Sequence, residues 1–167
     1  MPNDTTPMGK LKRSYFPFYI DTTMGGQTPN WYRVGKDIES MSMELSPQIE
    51  TKKNILDEQS VDDKGYETSL SADTYYAEPE DALYPILKGI AMDRKTGGQC
   101  KTKFLEFIMD QASGPFDAWE EDCIIKVDSY GDDTAGIKMP FTVTPCGNRK
   151  KGTVSLSGFV PTFTPTV

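Results

Sequence analysis

Two runs of alternating residues, separated by some twenty polar ones, limit what this chain can become. In Ile38 to Leu45, the residues Met41, Met43 and Leu45 fall on one side and Ser40, Ser42 and Glu44 on the other, because successive strand side chains point to opposite faces. The return run from Tyr66 to Tyr76 places Tyr66, Leu70, Ala72 and Tyr76 on one side and Glu67, Ser69, Ser71 and Asp73 on the other. Each run therefore predicts a strand with an apolar face for a core and a small, acidic face for water. The segment between them, 46–65, is too long for a tight turn and too charged for a core. An excursion of that length between paired strands is expected as a long functional loop, or one that orders on meeting a partner.

The other segments also read mostly as strands. Phe16, Phe18 and Ile20 alternate, and Trp31, Tyr32 and Val34 follow a turn-rich stretch with Gly25-Gly26 and Pro29. Pro17 predicts an edge or a bulge for the first of these. Phe104 to Met109 is apolar on both sides, as a central strand covered on both faces would be. Cys123, Ile125 and Val127 share an inner face, and Met139, Phe141 and Val143 share another. The segment Cys146 to Gly152 reads as a basic hairpin loop leading to a last strand with Val154, Leu156 and Val160. Leu83, Ile86, Leu87 and Ile90 have helical spacing behind the acidic Glu78 to Asp81, and Pro85 puts the start of regular helix near 82–84. The predicted fold is mainly β: an antiparallel β-sandwich or barrel with one flanking α-helix and a long hairpin excursion. One domain is expected over 1–167, with an N-terminal arm at 1–13, a long loop at 46–65 and an extended C-terminal tail at 159–167.

Composition narrows the chemistry. The net charge is −7 and the isoelectric point near 4.6, which disfavours a protein that grips nucleic-acid phosphates but not one that DNA slides past. Eight Phe, eight Tyr and two Trp supply burial despite a negative mean hydropathy. No apolar run spans a bilayer, and Met1 to Arg13 reads as neither a membrane helix nor a secretory signal. Cys100, Cys123 and Cys146 have no close pairing and are expected as reduced thiols. The chain has no histidine, which removes the usual general base and a common metal ligand. Gly35-Lys36 is followed by Asp37, where a phosphate loop needs Ser or Thr. Asp132 and Asp133 lack the ligand spacing of a calcium loop. Neither a catalytic site, a cofactor nor a metal is expected.

The order Trp31-Tyr32-Arg33-Val34-Gly35-Lys36-Asp37-Ile38, an alternating strand, Thr51-Lys52-Lys53 leading to Gly65-Tyr66-Glu67, and Tyr75-Tyr76-Ala77-Glu78-Pro79 before a short helix resembles the major tail (tail tube) proteins of long-tailed, non-contractile bacteriophages. The likeness continues through Ile137 to Phe141 and Gly152-Thr153. It implies a virion protein, assembled in the host cytoplasm, whose six-membered rings stack into a hollow tube for phage DNA. The implied partners are further copies of itself and the tape-measure, tail-tip and terminator proteins, with no membrane. Under that resemblance Ser40, Ser42, Glu44, Glu67, Ser69, Ser71 and Asp73 would face the bore, where negative charge repels phosphates. Ile49, Ile55, Leu56 and Val61 would meet the next ring. Two other expectations stand beside it: a carbohydrate-binding or adhesion β-sandwich stacking sugars on Trp31, Tyr32 and Trp119, and a small hydrolase with two carboxylates.

Overall fold

A computed structural model of the chain describes residues 9–36 and 38–167. The N-terminal arm expected at 1–13 lies mostly outside the described residues. Among the described residues ten strands run in the order β1 (Phe18–Asp21), β2 (Trp31–Val34), β3 (Met41–Glu44), β4 (Pro47–Lys53), β5 (Gln59–Tyr66), β6 (Ser69–Ala72), β7 (Lys101–Phe107), β8 (Phe116–Val127), β9 (Phe141–Ser157) and β10 (Val160–Pro165). The helix α1 (Tyr84–Met92) lies between β6 and β7. One antiparallel sheet has the order β2-β1-β7-β8-β9-β6-β3, with β10 also paired to β9. The described residues are mainly β as the sequence predicts, with a main curled sheet in the form of a half-barrel, the helix α1 packed against it and β4 and β5 outside it.

The long strand β9 accounts for the branching of the sheet. Its first residues, 141–143, pair with β6, and 152–157 pair with β10, while β8 follows nearly its whole length. Gly152 is required where β10 crosses. A Cβ there would lie 2.2 Å from the Thr164 carbonyl oxygen and 2.7 Å from the Phe163 ring, well inside van der Waals contact, so no larger residue fits.

Apolar residues line both faces of the sheet, in different halves. On one face, Phe18, Ile20, Leu70, Phe104, Cys123, Ile125, Phe141 and Val143 join Leu83, Leu87 and Ile90 from the α1 region. On the other, Tyr19, Leu105, Phe107, Phe116, Ala118 and Val154 form a second cluster. The strand β7 therefore sends Phe104 to the first and Leu105 and Phe107 to the second, matching its two-sided apolar sequence. Stacked rings reinforce each cluster, with Phe18 and Phe104 5.2 Å apart and Tyr19 and Phe107 5.9 Å apart. Such pairs contribute about 0.5–1.5 kcal/mol beyond area burial. Near the start of α1, the Asp81 carboxylate accepts the Leu83 amide (3.1 Å) and the Tyr75 hydroxyl (2.8 Å). Burial first, then that hydrogen bond, raises the pKa of Tyr75 far above the ordinary phenol range.

Four local expectations are corrected. The excursion 46–65 is not a loop: β4 and β5 pair from Lys53↔Gln59 to Pro47↔Tyr66 as a separate two-stranded sheet. Its Thr, Ile and Val residues suit a strand, and Lys64 of β5 pairs with Glu50 of β4 across it. Cys146 to Gly152 is not a hairpin loop either, since β9 runs through it. The positive φ at Gly147 and Asn148 makes a bulge opposite Asp122 rather than a reversal. Pro17 sits just before β1, which is interior to the sheet. Pro161 and Pro165 do not prevent residues 160–165 of the C-terminal segment from pairing as β10.

Candidate functional site

The strands β3 and β6 pair as Met41↔Ala72, Ser42↔Ser71, Met43↔Leu70 and Glu44↔Ser69. Partners in such a pair share a face, so Ser42, Glu44, Ser69 and Ser71 form one polar strip. Behind it Met41, Leu70 and Ala72 enter the first core. Ser40 precedes β3, while Glu67 and Asp73 flank β6, and all three are exposed. The strip extends beyond the residues chosen from sequence. The Ser71 hydroxyl lies 3.4 Å from that of Thr142, which donates to the Asp128 carboxylate at 2.9 Å. Thr142 is in register with Lys126, whose ammonium donates to the Lys95 carbonyl at 2.7 Å. The alternation of Thr142 and Thr144 with apolar residues was the sequence signal for this extension. The pairing of β6 with a strand seventy residues away gave no signal.

The hairpin β4–β5 stands off from this sheet. From Pro47 to Tyr66 every residue except Gln48 and Gly65 is exposed. Its two faces differ. On one, Glu50, Lys52, Asp62 and Lys64 form an ion ladder, with Lys52 3.4 Å and Lys64 3.5 Å from Glu50. On the other, Ile49, Thr51 and Val61 lie together, since Thr51 pairs with Val61 and Ile49 with Asp63. At the tip, the Asn54 side-chain oxygen accepts the amides of Leu56 (2.9 Å) and Glu58 (3.0 Å). That turn leaves Ile55 100% and Leu56 72% exposed. The four apolar residues singled out from sequence therefore occupy one face and the tip of an exposed arm.

A charged cluster at the root of the arm escaped the sequence reading. In sequence, Glu120 to Asp122 is an acidic run and Arg149 to Lys151 belongs to the segment expected as a basic hairpin loop. In the sheet they face each other across β8 and β9. The Arg149 guanidinium donates to Glu106 at 2.7 Å and to Glu121 at 2.9 Å, and lies over the Trp119 ring. On the opposite face of the sheet, that of Leu105, Lys103 and Lys101 lie 3.6 Å from Glu120 and Asp122. Burial acts to lower the pKa of Arg149, but the hydrogen bonds and charges of the two glutamates outweigh it and hold it above the usual guanidinium value. Beside this cluster, Phe16, Met41, Met43, Leu45, Ile108 and Trp119 line an apolar groove of about 500 Å³.

The groups named for the rival expectations do not converge. Trp31 packs on the second core and Tyr32 on the first, so they face opposite sides of the sheet. Trp119 is engaged by Arg149 and Lys151. Glu106 and Glu121, which line the hollow at the root of the arm, are both held by Arg149. Cys100 and Cys123 are buried, Cys146 is exposed, and none is bonded to another.

No protein-family model matches the chain, and no curated protein matches it. Among solved structures it is similar to the sheath/tube terminator, in the extended state, of an extracellular contractile injection system, PVC. The two are 10% identical with a TM-score of 0.48, over 86% of this chain and 97% of the other. A likeness that shallow carries no argument about function. The weight rests on the arm, the strip and the groove.

Proposed function

We propose that this chain is a structural subunit of a phage tail, self-assembling into stacked hexameric rings that form the hollow tube for DNA, and that it is not an enzyme. The observation that carries the reading is the exposed hairpin of 47–66, with Ile49, Val61, Ile55 and Leu56 all exposed on an arm that the body leaves largely uncovered. An isolated two-stranded hairpin is marginal in water, and an apolar tip with nothing to pack on in its own chain suits a contact with another molecule. Its root continues into β3 and β6, so the element that reaches for a neighbour also carries the small polar strip. The sequence likeness to tail tube proteins supports the same assignment.

On this reading the strip of Ser42, Glu44, Ser69 and Ser71, with Ser40, Glu67 and Asp73 at its ends, lines the bore. Short hydroxyls and a few carboxylates offer the duplex little cationic grip, and Lys126, where the strip reaches β8, donates to the Lys95 carbonyl. Tape-measure, tail-tip and terminator proteins would meet the tube inside and at its ends. Electron microscopy of the purified protein, alone and with tail-tip protein, tests this directly: rings or tubes with a central channel are expected. A protein that remains monomeric at high concentration in both preparations would overturn it. Glu44→Lys with Asp73→Lys should leave tubes intact but slow DNA delivery, and unchanged infectivity would count against a bore location.

A further inference from the structure

We infer that the apolar groove at the root of the arm is the seat for the hairpin tip of a second copy of this chain. The inference rests on the self-assembly proposed above and names the surface that receives the arm. Leu45 and Ile108 on the groove wall are 52% and 44% exposed, and Met43 and Trp119 are half-buried. A smaller hollow of about 360 Å³ shares Met43, Leu45, Glu106 and Arg149 with it and adds Tyr66 and Pro145. Together they form an apolar surface with a satisfied charged floor, since Arg149 already holds both Glu106 and Glu121.

The occupant follows from geometry and charge. The arm leaves from the groove's own rim, since Leu45 is two residues before β4 and Tyr66 ends β5. The seven residues of β4, at about 3.4 Å each, carry the tip more than about 20 Å away. A tip so placed does not return to its own groove, yet it is the most exposed apolar feature on the arm. Charge supplies the match. The Arg13 guanidinium at the groove donates to the carbonyls of Phe16 (2.7 Å) and Met41 (2.9 Å) and has no ion pair with a carboxylate among the described residues. In the tip, Ile55-Leu56 is followed at once by Asp57 and Glu58, both exposed. The Asp57–Lys53 pair at 3.2 Å is open to solvent on both sides, so exchanging it for Arg13 costs little. Seating Ile55 and Leu56 against Met43, Leu45 and Trp119 brings these acids to that arginine. Tip and groove lie on different parts of one chain, so the contact is heterologous and repeats from copy to copy.

Site-directed disulfide formation tests it, using the full chain with Cys146→Ser to remove the exposed native thiol. Protein carrying Leu56→Cys is mixed with protein carrying Leu45→Cys, or with protein carrying Ile137→Cys, whose position is exposed and outside the groove. Covalent dimer forming several-fold faster with Leu45→Cys is the expected result, and equal rates overturn the assignment. Tubes that form without the Leu45 cross-link overturn the groove while leaving the tube reading intact. A mixture that neither assembles nor cross-links overturns both. Arg13→Glu should lower the yield and Asp57→Arg with Glu58→Arg should recover it, with circular dichroism confirming that each variant is folded. Failure of the charge exchange to recover the yield would refute the charge match.

Discussion

The pairs β8–β9 and β4–β5 are both antiparallel and both rich in charge, yet they are held by different forces. β8 and β9 bury side chains on both faces, with Ile125, Phe141 and Val143 in one core and Phe116, Ala118 and Val154 in the other. Their charges pair in partly desolvated surroundings around Arg149. β4 and β5 bury almost nothing, and their ladder of lysines and acids lies in solvent, where each pair is worth about 0–1 kcal/mol. The first pair needs only its own chain to be stable. The second has the sequence of a strand pair but lacks a surface of its own chain to lie on, and that deficit is the ground on which the arm is proposed as an interface.

The contrast can be broken in graded steps. Replacing residues 52–62 by a Gly-Asn turn should abolish ring stacking, seen as loss of tubes by electron microscopy, while the thermal midpoint of the body stays put. Tubes persisting without the arm would refute its role. Next in size, Phe141→Ala should cost about 3–5 kcal/mol in denaturant unfolding, because Phe141 is fully buried and packs edge-on against Tyr75 at 5.7 Å. Arg149→Ala should cost about 1–3 kcal/mol, since it strands the buried Glu106, with half-exposure of the arginine keeping the loss below that of a deep ion pair. Smallest on stability, Ile49→Ser with Val61→Ser should change the unfolding free energy by no more than about 0.5 kcal/mol while weakening assembly. A large destabilisation there would mean that the arm packs on its own body.

What could be read from sequence follows the range of the interactions. Met41, Leu70 and Ala72 declared their buried faces through alternation alone, and Phe104 to Met109 declared a central strand by being apolar on both sides, although the strand ends at Phe107 and Ile108 is exposed. The helix announced itself through Leu83, Leu87 and Ile90, with Pro85 marking its first turn. The charged segments misled, because a run such as Glu120 to Asp122 looks the same whether water or Arg149 neutralises it. Arg149 lies 28 residues from Glu121 and 43 from Glu106, and no local pattern links them. The excursion misled for a related reason: Ile49, Thr51 and Val61 were visible, but with lysines and acids interleaved they had the composition of a loop.

The sequence by itself determined which residues must leave water, which strands have a wet side, and that a long polar segment joins two of them, because these depend on side-chain chemistry and the two-residue period of a strand. Tertiary structure decided that β6 lies beside β9 rather than ending the sheet, that Arg149 of β9 meets Glu121 of β8 and Glu106 of β7 while Lys103 and Lys101 meet Glu120 and Asp122, and that 46–65 stands away as a hairpin rooted at an apolar groove. Those outcomes depend on pairing between distant segments, where closing the chain is offset only by contacts that exist once the whole sheet has formed.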